Sequence, residues 1–101
     1  MDNLSERARE LLEKQRHRYL TSLPEKKASL QEAWHEAAGG HVSELLERIH
    51  KLAGSSGLHG LDVIQGLAVE IEEAIKGQAS REEYADRFDA LLAAIDLESP
   101  D

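Results

Sequence analysis

Apolar residues recur along this chain at intervals of three and four, the period of helices packed on one face. Leu4, Ala8, Leu11, Leu12 and Tyr19 share one such face, and Leu30, Ala33, Trp34 and Ala37 share a second. Val42, Leu45, Leu46, Ile49, Leu52 and Ala53 make a third stripe, and Leu61, Ile64, Leu67, Ala68, Ile71 and Ile75 a fourth. Tyr84, Phe88, Leu91, Leu92 and Ile95 make a fifth. Breaks fall at Pro24, at Gly39 and Gly40, in the stretch from Gly57 to Gly60, and at Gly77 behind a basic Lys76. Ser22 and Glu25 stand in capping-box spacing around Pro24, a residue suited to a first turn, and Ser80 and Glu83 repeat the spacing. The pattern predicts an all-α fold. Short connections between amphipathic helices favour an antiparallel up-down-up-down four-helix bundle, over about residues 22–96, with an additional N-terminal helix over about residues 4–20 capping one end. Glu98 to Asp101 are expected to fray.

Composition narrows the functional classes. A chain of 101 residues is the size of one domain with one core. The absence of cysteine removes disulfides and thiolate chemistry. Twelve Lys and Arg against 20 Asp and Glu give a formal charge of −8, which repels phosphate backbones and anionic membrane surfaces. With 4% aromatic residues there are few stacking platforms, so neither nucleic acid nor membrane is an expected partner. No run is long enough to span a bilayer, and Met1 to Glu6 lack the order of a signal peptide, so a cytoplasmic monomer is expected.

Five histidines carry the candidate chemistry: His17, His35, His41, His50 and His59. None forms a His-x-x-x-His pair, and no metal site is expected. Gly54-Ser55-Ser56-Gly57 lacks the Gly-Lys-Ser/Thr ending of a phosphate loop, so no nucleotide site and no autokinase activity are expected. His50 is the anomaly. On a helical wheel centred on Ile49, Val42, Leu45, Leu46, Leu52 and Ala53 lie within about 60° and His50 lies about 100° away, at the edge of the core. Ser43, Glu47, Gly54 and Gly57 fall on its side, so the next two turns along its face carry no side chain. If the helix continues, each glycine costs about 1 kcal/mol relative to alanine, and room for another molecule to reach the imidazole would account for that. If Gly54 instead ends the helix, His50 is an ordinary boundary residue. Periodicity leaves both readings open.

The stretch His50-Lys-Leu-Ala-Gly-Ser-Ser-Gly-Leu-His-Gly60-Leu resembles the signature of histidine-containing phosphotransfer (HPt) domains. The family's phosphoryl-accepting histidine is followed by Leu, Gly, Ser, Ser or Ala, and a later Gly, which match Leu52, Gly54, Ser55, Ser56 and Gly60. Tyr19-Leu20 leading to Leu23-Pro24-Glu25 and Leu30 is similar to the family's entry helix, and Leu67, Glu70 and Ile71 to the helix after the signature. The resemblance implies that His50 accepts a phosphoryl group from a receiver-domain aspartate and passes it to another receiver in two-component signalling. It implies no cofactor on this chain, with Mg²⁺ supplied by the partner receiver. An ordinary imidazole, with a pKa of about 6.5, is largely in its nucleophilic form at neutral pH.

Two positions depart from the family pattern. Many members carry Lys or Arg where this chain has Ala53, which leaves Lys51 and Arg48 as candidate partners for the phosphate charge, with Glu47 opposing them if it faces the ring. His59 replaces a usually apolar residue and is expected to pack at a helix end. The expected docking surface is Gly54, Gly57, Leu58, Leu61 and Gln65, with Leu61 equally suited to the core. Two other readings of the chain compete: a helical interaction module that docks a receiver or kinase without phosphorylation, and a structural domain that dimerises through an exposed stripe.

Overall fold

A computed structural model describes residues 2–100 as four α-helices. These are α1 (Asp2–Ala37), α2 (Ser43–Leu58), α3 (Asp62–Lys76) and α4 (Arg81–Glu98). Each helix packs on the next in the chain, and α4 closes the ring on α1, giving an antiparallel bundle. Two turns use residues with positive φ, Gly40 at 95° and Gly60 at 71°, a region open to glycine at no steric cost. After α3 that conformation falls on Gln78 (φ 62°), whereas Gly77 has φ −80°. The capping box at Ser80 and Glu83 is present, with the Glu83 carboxylate accepting from the Ser80 N–H at 3.0 Å.

The predicted stripes of the last four segments make the core. Leu30, Ala33, Leu45, Ile49, Ile64, Ile71, Tyr84, Phe88, Leu91 and Ile95 are all buried, while Trp34, Val42, Leu46, Leu67 and Leu92 are partly so. Trp34 stacks on Phe88 with centroids 4.2 Å apart, and the Arg81 guanidinium covers its ring at 4.1 Å.

The separate N-terminal helix is not there. One 36-residue helix runs through Pro24, and Ser22, expected as a cap, donates its hydroxyl to the Tyr19 carbonyl at 2.5 Å. Proline inside a helix removes one N–H donor and strains the preceding turn. Here Tyr19, Leu23 and Leu30 are buried on both sides of it, and tertiary packing of that face holds the direction of the helix. The bundle thus starts at Tyr19. Residues 3–18 are exposed throughout and project beyond it, which stretches the molecule to 56 × 26 × 19 Å. At the other terminus Glu98 completes α4, and Ser99 is held by bonds from its N–H and hydroxyl to the Ile95 carbonyl, so both are ordered where fraying was expected. Asp101 lies outside the described residues.

Candidate functional site

Helix α2 continues through both glycines to Leu58, which settles the choice left open by periodicity. A Cβ added at Gly54 would meet nothing within 4 Å. One added at Gly57 would overlap the Gln65 side-chain amide, which lies over that turn from α3. The two serines of the stretch are structural. Buried Ser56 accepts backbone bonds at its carbonyl from His59 and Leu61, and Ser55 shares a 2.7 Å hydrogen bond with the Tyr19 hydroxyl. His59 stacks on Tyr19 with centroids 4.3 Å apart, packing at the helix end as its position suggested.

His50 projects from the exposed edge of α2 with 70% of its side chain accessible. Its Nδ1 lies 2.5 Å from Oε2 of Glu72, whose side chain is only 11% exposed, and Lys76 Nζ lies 3.2 Å from the same oxygen. Burial pushes the Glu72 carboxyl up, but the hydrogen bonds from His50 and Lys76 and their charges outweigh it and hold the carboxyl below its ordinary range. Glu72 is therefore an anion at neutral pH, and an acceptor-only carboxylate oxygen at Nδ1 requires the proton on that nitrogen. The lone pair then resides on Nε2, the nitrogen on the other edge of an exposed ring. Chemically, the arrangement offers an exposed imidazole with an oriented tautomer, a form able to act as a nucleophile.

The antiparallel register explains which residues meet. On α2 the face holds Glu47, His50, Gly54 and Gly57; on α3 the spacing of four and three gives Gln65, Val69, Glu72 and Lys76. Glu72 and Lys76 were missed from sequence. The available signal was a carboxylate about 100° from Ile71 at the border of the α3 apolar stripe, followed by a lysine one turn on.

Other expected residues lie elsewhere. Arg48 turns to α1, with Nε 3.0 Å from Glu44 and an NH donating to the Ser29 carbonyl at 2.7 Å. Lys51 pairs with Glu47 at 3.0 Å and, with Arg48, lines a groove between α1 and α2. Neither shares the His50–Glu72 pair, because each sits a further 100° or more around α2. Ala53 is buried, so that position belongs to the core here. Leu61 is 4% exposed and is a core residue, unable to offer its side chain to a docking partner, whereas Leu58 is 87% exposed. Gly66 faces open space. No group of His, Asp and Glu that could hold a metal occurs among the described residues, and no helix among them is long and apolar enough to cross a membrane.

The family model for the Hpt domain matches residues 4–98, nearly the whole chain, with His50 and its glycines inside the match. The chain belongs to the Hpt domain family. Hpt domains carry out histidine phosphotransfer in two-component signalling and interact with receiver domains in phosphorelays. Neither a curated protein nor a solved structure matches the chain.

Proposed function

We propose that this Hpt domain is a cytoplasmic phosphorelay intermediate and that His50 is its phosphoryl acceptor. The observation that carries the reading is the Glu72–His50 pair, which leaves an exposed Nε2 lone pair on an otherwise immobilised ring. Nε2 attacks the phosphorus of a receiver's aspartyl phosphate, the P–O bond breaks, and the aspartate carboxylate leaves with the electron pair. The product is an Nε2-phosphohistidine, and a second receiver aspartate takes the group in the reverse step. Mg²⁺ is the receiver's contribution to both steps. The developing positive charge on the imidazole is stabilised by Glu72 across the Nδ1 hydrogen bond. Lys76, already on the Glu72 carboxylate and 61% exposed, takes the role of phosphate-charge partner first considered for Lys51 and Arg48. The glycine turns at Gly54 and Gly57, with Gln65 and exposed Leu58 beside them, form the receiver-docking face.

Mass spectrometry after incubation with a phosphorylated receiver tests this. A label that is acid-labile, alkali-stable and lost in His50→Gln is expected. Receiver binding by the wild-type chain, with no label from any phosphorylated receiver that binds, overturns phosphotransfer in favour of docking alone.

A further inference from the structure

Six of the seven large hydrophobic side chains exposed among the described residues gather at one end of the molecule. Leu4, Leu11 and Leu12 lie on the projecting part of α1, and Leu58, Val63 and Leu97 line cavities shared with Leu12 or Arg16 at its root. The seventh, Val69, belongs to the His50 face. The projecting stripe continues the helix face that buries Tyr19, Leu23 and Leu30 further along, so the sequence prepares it for burial that its own chain does not supply. The accessible surface is 6776 Å², whereas a compact monomer of 11.2 kDa exposes about 5,700 Å². The excess over that figure, about 1,100 Å², exceeds the roughly 800 Å² that each partner hides in a stable dimer.

Charge selects the occupant. Residues 2–18 carry five Arg and Lys against four Asp and Glu, and the rest of the chain carries seven against sixteen. On a wheel centred on Ala8 the leucines are bordered, at about 80–120° on either side, by Arg7, Lys14 and Arg18 on one flank and Arg9 and Arg16 on the other. Beside the root of the projection runs a groove with Val63, Ala94 and Leu97 along it, Asp62 and Glu98 at its rim, and Arg16 of the projection itself at its near edge. The basic-bordered apolar stripe complements the two acids of the apolar groove; the root of the projection already meets the bundle end at Leu12 and Arg16, but the straight helix carries Leu4 and Leu11 away from it. A twofold axis joins them between copies, since an isologous contact needs both halves on each chain. An anionic lipid surface fits less well, because Glu6, Glu10 and Glu13 on the back of the stripe and the net charge of −8 oppose it.

We infer that this protein forms a homodimer in which the projecting part of α1 of each copy lies against the Val63–Leu97 groove of the other. The projection is about 25 Å long, enough for two of them to run antiparallel and reach each other's bundle end. His50 is about 12 Å along α2 from Leu58 and stays accessible. The dimer replaces the expected monomer, and Leu58 of the receiver-docking face lies outside the Val63–Leu97 groove, so the inference does not depend on phosphotransfer.

Sedimentation equilibrium of the full chain over a wide concentration range is expected to give a dimer. The double variant Leu11→Glu/Leu12→Glu, at exposed positions, is expected to weaken association about a hundredfold or more, with helicity by circular dichroism unchanged. In this cysteine-free chain, mixing Leu4→Cys with Val63→Cys, which the antiparallel arrangement brings to the same bundle end, is expected to give an inter-copy disulfide on oxidation. A wild-type monomer at all concentrations overturns the inference, as does one that instead binds phosphatidylserine vesicles. A dimer indifferent to the double variant overturns it too.

Discussion

The α2–α3 hairpin and the projecting half of α1 are written in the same alphabet, an apolar stripe at helical spacing with charged residues around it. In the hairpin the stripe meets its complement: Ile49 and Leu52 of α2 and Ile64 and Ile71 of α3 are buried, and the connection between them is three residues long. In the projection Leu4, Leu11 and Leu12 are 77, 58 and 65% exposed. Amphipathic periodicity therefore records which side of a helix is to be covered and is silent on what covers it. A short turn supplies the cover within one chain, while a helix that runs past the bundle has to find it elsewhere.

The largest effect that sharpens this contrast is on stability. Leu45→Ala, at a position with no exposure, is expected to cost about 2–5 kcal/mol, because the cavity it leaves adds to the lost transfer energy. Leu12→Ala, measured by urea unfolding at a concentration where the chain is monomeric, is expected to change stability by no more than about 0.5 kcal/mol. Equal losses would mean that the projection is folded back on its own bundle.

The same contrast separates what could be read from the chain from what could not. The helix stripes, the His50 face and the open turn at Gly54 follow from residues close in sequence, whereas the Gln65 amide that covers Gly57 comes from the next helix. Pro24 misled because proline is a local signal, whereas the burial of Tyr19 and Leu23 ahead of it and Leu30 behind it, which keeps α1 continuous, is a tertiary one. Glu72 lies 22 positions from His50, so its role depends on the register between two helices, and in a chain with 20 carboxylates its identity alone carries no signal.

The next effect breaks the hairpin's polar pair while leaving its core. Glu72→Gln keeps the size of the side chain but removes the anion that fixes the imidazole tautomer and, on the proposed function, stabilises the charge of the phosphorylated ring. Loss of such an orienting partner is expected to slow phosphoryl uptake by about ten- to a hundredfold, followed with a saturating phosphorylated receiver. A rate unchanged by the variant would leave the ring's orientation to other contacts. The pH dependence has a definite sign. The Glu72 carboxyl is held below its ordinary 4.5 in the folded chain, so its stabilising contribution is complete above that pH and is lost as pH falls through the lower folded-state value. The wild type is expected to be the more stable of the two at pH 7, and the urea midpoints are expected to converge as pH drops below 4.5. Parallel midpoints across that range would show that the pair does not contribute to folding.

The smallest effect tests whether the bare turn beside His50 serves folding or access. Gly54 lies inside α2 with nothing within 4 Å of the position a Cβ would occupy, and its φ is not in the left-handed region. For folding alone it is a poor choice of residue, and Gly54→Ala is expected to stabilise the chain by about 0.5–1 kcal/mol through the smaller loss of backbone entropy. The added methyl also stands one turn from His50, where the proposed transfer requires a receiver to approach closely. Receiver binding and transfer are therefore expected to weaken while the unfolding midpoint rises. Gly57→Ala provides the control, since its methyl must first displace the Gln65 amide and forfeits that gain in stability. A Gly54→Ala chain that is both more stable and as fast in transfer would remove access as the reason for the glycine, and with it the placement of the docking face along α2.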